Sequence, residues 1–98
     1  MLVRIVKMSF RDEEVQGFLR LFEQHKEQIR NVEGCQHLQL LQDAKQASTF
    51  FTYSWWNNEE CLNNYRESEL FGEVWPKTKA LFASKPEAWT CDSLYKLD

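Results

Sequence analysis

Residues 49–56, Thr-Phe-Phe-Thr-Tyr-Ser-Trp-Trp, place five aromatic rings in eight positions. β-Branched and aromatic residues in so short a run specify a strand. Strand alternation puts Phe51, Tyr53 and Trp55 on one side, and Phe50, Thr52, Ser54 and Trp56 on the other. A sheet with one solvated face would show a polar side, and this strand has none. Both its faces must be covered. Helices can supply one cover, and the least demanding second cover is another copy of the same sheet, so a homodimer is expected.

The flanking sequence supplies the other elements. Residues 2–8, Leu-Val-Arg-Ile-Val-Lys-Met, read as a first strand. Ser9 and Asp12 offer caps, and the acidic run Asp12-Glu13-Glu14 suits a helix start. Val15, Phe18, Leu19, Phe22 and Ile29 then keep a helical rhythm that closes near Gly34. Residues 35–42 form a second strand, and the polar stretch 43–48 makes a hairpin with the aromatic strand. Asn57-Asn58-Glu59-Glu60 carries a cap and first-turn carboxylates for a further helix through Leu62 and Tyr65, and a second start follows at Ser68-Glu69. Pro76 is expected to kink or restart this region, and residues 88–95 read as a last strand. The order β-α-β-β-α-β makes one domain over residues 1–98. It is an α+β chain whose four-stranded antiparallel sheet closes in the ferredoxin-like manner, with its helices on one face. The second and fourth strands then lie at opposite edges, which keeps Cys35 from bonding to Cys91.

Composition excludes several functions. Twelve Lys and Arg against fifteen Asp and Glu leave a net charge of −3, the wrong sign for a nucleic-acid or anionic-membrane binder. RNA-recognition domains share this element order, but their third strand opens with a basic residue and Gly, which Ala47-Ser48 does not supply. No GxGxxG, GxxxxGK[ST] or GxSxG motif occurs. The three cysteines and two histidines, His25 on the surface of the first helix and His37 on the second strand, show no metal-ligand spacing, so no metal is expected. The start of the chain lacks a signal-peptide core and no stretch is long enough to span a membrane, so a cytoplasmic location is expected.

Phe51-Thr52-Tyr53-Ser54-Trp55-Trp56-Asn57-Asn58-Glu59-Glu60-Cys61-Leu62-Asn63-Asn64-Tyr65, followed by Ser68-Glu69-Leu70-Phe71, resembles the antibiotic biosynthesis monooxygenase family. The opening strand, long first helix and Glu33-Gly34-Cys35 step resemble it too, so the likeness covers nearly the whole chain. Trp56, at the strand end, is its most specific element. The resemblance implies a dimeric α/β barrel, with a small-molecule pocket between each sheet and its helices. It also implies either cofactor-free oxygenation of phenol- or quinol-like aromatics or haem degradation. The haem branch expects an Asn and an axial His where this chain has Lys7 and Trp75, and neither can replace them. The quinol branch often carries a His where Tyr65 stands.

Cofactor-free oxygenation needs a base, aromatic walls and an oxyanion donor. His37 is the base candidate, with an ordinary pKa of about 6.5. Trp56 and Tyr65 complete the catalytic set. Tyr53, Trp55 and Trp75 would bind substrate as walls, and Arg4 and Asn63 (or Asn64) as donors. Each also has a purely structural role available: core or interface packing for the rings, a carboxylate partner for Arg4. Two functions follow. One is a cofactor-independent monooxygenase using O2 on a small reduced aromatic, and the other is a non-catalytic dimeric ligand-binding or structural module.

Overall fold

The computed structural model describes residues 1–98. Its elements are β1 (Leu2–Ser9), a 3-10 turn (Asp12–Glu14), α1 (Val15–Arg30), β2 (Cys35–Gln42), β3 (Thr49–Trp56), α2 (Glu59–Arg66), α3 (Glu69–Lys79) and β4 (Glu87–Asp92). The sheet order is β2-β3-β1-β4, and every pairing is antiparallel. This is the expected ferredoxin-like arrangement, with β2 and β4 at the two edges and all three cysteines free. No helix is long and apolar enough to cross a membrane.

The helices cover the even-numbered face of β1 and β3. Met8, Phe10, Phe18 and Phe50 form one buried cluster, in which Phe10 stacks on Phe18 at 4.1 Å. Cys35, Trp56 and Leu62 form a second, under α2. Only 12 of 98 residues are buried, so each core ring carries a large share of the stability, about 1.5–3 kcal/mol apiece. Gly34 has φ of +87°, and a Cβ there would stand 2.5 Å from Cys61 Cβ and Sγ. Glycine is therefore what lets the start of β2 lie against α2.

Three local readings are corrected. α3 runs through Pro76 without restarting, since a proline near the helix end removes one rung, the bond to the Gly72 carbonyl. The break falls earlier, where the Ser68 hydroxyl donates to the Tyr65 carbonyl (2.6 Å) and accepts from the Phe71 amide (3.2 Å). β4 ends at Asp92, short of residue 95, opposite Leu2 at the first position of β1. His25, expected on the helix surface, is mostly covered: its Nδ1 meets the Leu21 carbonyl and its Nε2 lies 3.9 Å from Glu73 on α3.

Candidate functional site

Alternation along β1 and β3 turns Arg4, Val6 and Met8, and Thr52, Ser54 and Trp56, toward the helices. The helices answer with Phe18, Phe22 and Ile29 from α1, Leu62, Tyr65 and Arg66 from α2, and Phe71, Val74 and Trp75 from α3. Between these layers lies a cavity of about 230 Å³. Roughly 150 Å³ of apolar cavity holds a benzene, so this one has room for a flat ligand of about two rings.

Aromatic contacts shape its walls. Trp56 is 1% exposed, stacks on Tyr65 at 5.2 Å with 22° between planes, and donates its indole N–H to Ser54 Oγ at 3.0 Å. Tyr65 meets Phe71 edge to face at 5.2 Å, and Phe71 stacks on Trp75 at 5.7 Å. The sequence places these rings at helical spacings, and the Asn58 and Ser68 caps fix where each helix starts.

The electrostatics are one-sided. Arg4 and Arg66 are the only charged side chains in the lining, which includes no His, Cys, Asp or Glu. Arg4 donates to Thr90 Oγ1 at 2.7 Å and does not take the expected carboxylate partner. Burial, and then the charge of Arg66, lower its pKa from the ordinary arginine value. Burial pushes the Tyr65 phenol up to about 12, with a further rise from nearby Cys35. At neutral pH Tyr65 is a proton holder and hydrogen-bond donor, never a base. Burial also raises the Cys35 thiol, which leaves it a core residue. The lining offers neither His nor Cys to a haem iron, and Lys7 stands on the other face of the sheet, 4.0 Å from Glu87.

The structure therefore gathers four of the sequence-derived site residues, Arg4, Trp56, Tyr65 and Trp75, and separates the rest. His37, Tyr53 and Trp55 lie together on the opposite, open face: His37 stacks on Trp55 at 4.5 Å, and its Nε2 is 3.0 Å from Gln39 Oε1. The irregular register between Cys35 and His37 explains the split, since a bulge there leaves Cys35 facing the helices while His37 faces away. Asn63 is exposed on α2 and outside the lining. Arg66 escaped the sequence reading. Its signal was spacing, for Leu62, Tyr65 and Arg66 stand at i, i+3 and i+4 on one helix face.

A family model described as antibiotic biosynthesis monooxygenase matches residues 1–75. Among solved structures, the chain is similar to one named antibiotic biosynthesis monooxygenase, with 21% identity, TM-score 0.91, and 97% of this chain and 100% of that one covered. A conserved protein from Methanosarcina mazei Go1 is 23% identical at TM-score 0.87, covering 93% and 91%. A Mycobacterium tuberculosis protein is 13% identical at TM-score 0.90, covering 99% and 98%. At those identities the likeness speaks for the fold. No curated protein matches the sequence significantly.

Proposed function

Because the chain belongs to the antibiotic biosynthesis monooxygenase family, we propose that it is a small monooxygenase that uses O2, without a cofactor, on a reduced aromatic of phenol or quinol type. What supports this reading is the cavity: flat walls from Trp56, Tyr65 and Trp75, with the Tyr65 hydroxyl and the Arg4 and Arg66 cations in the same lining. The net change is a phenol plus O2 giving a quinone plus water: one oxygen atom replaces a ring hydrogen as C=O, and the other leaves as water with that hydrogen and the phenol proton. Electron transfer to O2 is far easier from the substrate anion than from the neutral phenol. Tyr65 donates a hydrogen bond to that anion's oxygen, and the positive charge of Arg4 in the same lining favours ionisation. His37 would be a base only for a substrate bound at the open face, so in the cavity the substrate supplies its own ionisation.

Oxygen uptake with a dihydroxynaphthalene tests the reading. Tyr65→Phe should lower kcat about 10- to 100-fold with KM little changed, the worth of one hydrogen bond to a charged oxygen. Uptake no faster than the uncatalysed reaction would leave a non-catalytic ligand-binding module as the function.

We further propose that the protein acts in the cytoplasm as a homodimer joined through the open face. There Trp55 Nε1 is buried without a partner and Trp89 and Leu41 remain exposed. Light scattering should give twice the chain mass of 11.8 kDa; a stable monomer at micromolar concentration would sink this part.

A further inference from the structure

The cavity holds two positive charges and no negative one. The chain carries fifteen Asp and Glu against twelve Lys and Arg, so carboxylates are not scarce. Its seven ion pairs nonetheless include neither Arg4 nor Arg66. Arg4 sits half-buried on the central strand β1, with one bond to a neutral hydroxyl, Thr90 Oγ1. Arg66 ends α2 and lines the same space. Like charges placed together beside apolar walls are unfavourable unless an anion joins them, and a guanidinium cannot escape by losing its proton.

We propose that the cavity binds an aromatic acid, a flat ring system lying against Trp56 and Trp75 with its carboxylate held by Arg4 and Arg66. This deepens the oxygenase reading and rests on the same cavity. The carboxylate does two jobs. It anchors one end of the ring, since a guanidinium fork matches two carboxylate oxygens and fixes orientation as well as position. It also leaves the opposite edge of the ring, along the Phe71 and Trp75 wall, for reaction. A neutral ring of the same shape would leave both cations without a counter-charge, so the site discriminates by charge before shape.

Calorimetric titration of the full chain under anaerobic conditions separates this from turnover. The probes are 2-naphthoate and its neutral isostere 2-naphthamide. Naphthoate should bind at least about tenfold tighter, the scale of a charge-assisted hydrogen bond. Raising salt should shrink the difference. Arg66→Gln, at the exposed end of α2, should reduce the preference to about twofold, and Arg66→Lys should restore part of it. Equal affinity for the two probes, or a preference that survives both Arg66→Gln and Arg4→Gln, overturns the proposal. A protein that binds naphthoate yet consumes no oxygen keeps the clamp and loses the oxygenase. One that oxygenates neutral naphthalenediols while ignoring charge keeps the oxygenase and loses the clamp.

Discussion

The two faces of β3 are built from nearly the same residue types and do different work. On the covered face, Phe50 and Trp56 are 2% and 1% exposed and packed by three helices. On the open face, Phe51, Tyr53 and Trp55 are half-buried among neighbouring strands, with His37 laid over Trp55 and Lys96 above its ring at 5.1 Å. Sequence alone cannot tell these faces apart, because Trp55 and Trp56 are adjacent and identical. The difference comes from what the helices reach. Hydrophobicity says that a ring will be covered; topology says by what.

The contrast can be broken by substitution. Trp56→Ala should cost about 3–5 kcal/mol in urea unfolding, since it empties a packed site. Trp55→Ala, measured at the same low protein concentration, should cost less than half as much. Equal losses would mean that a single chain buries both faces alike.

Alkali should act on the covered face. Tyr65 titrates near 12 when folded against an ordinary value near 10. A raised folded-state pKa contributes stability that is complete below about pH 10 and is lost as pH climbs through about 12, roughly 2–3 kcal/mol in all. Thermal unfolding across that range should show the loss in the parent and its absence in Tyr65→Phe. A variant as alkali-sensitive as the parent would place the phenol in water.

Gly34→Ala should cost about 1–3 kcal/mol, because a Cβ there meets Cys61 in a backbone conformation that side chains disfavour. An unchanged urea midpoint would show that α2 can retreat from the sheet freely. His37→Ala on the open face should stay within about 0.5 kcal/mol in the same measurement. It should also leave naphthoate binding within twofold. A hundredfold fall in turnover with unchanged binding would move the reactive centre to the open face.

Much of this was legible in the sequence. The period-2 run at 49–56 marked a central strand, and the capping stretches Asn57-Asn58 and Ser68-Glu69 marked two helix starts. Trp56, Tyr65, Trp75 and Arg4 reached one cavity because strand and helix periods are reliable wherever the element is regular. His37 lies on the open face, across the sheet from Cys35, where counting alternate residues from Cys35 would put both on one side. The irregularity after Cys35 reverses every side chain that follows, and no residue there announces it. Arg66 failed for another reason, since a charged residue on a helix reads as solvated until something shows the cavity that its stem reaches.

The Ser68 hydroxyl splices α2 to α3, taking one bond from each side of the break. Tyr65 and Arg66 stand on one side of that splice, Phe71 and Trp75 on the other, so the angle between adjoining cavity walls is set at a single oxygen. Adding or removing one residue between Arg66 and Ser68 would turn Phe71 and Trp75 by about 100° against Tyr65 and Arg66, by helix geometry alone. Ligand size in this architecture is thus adjustable through connector length, with every wall residue kept.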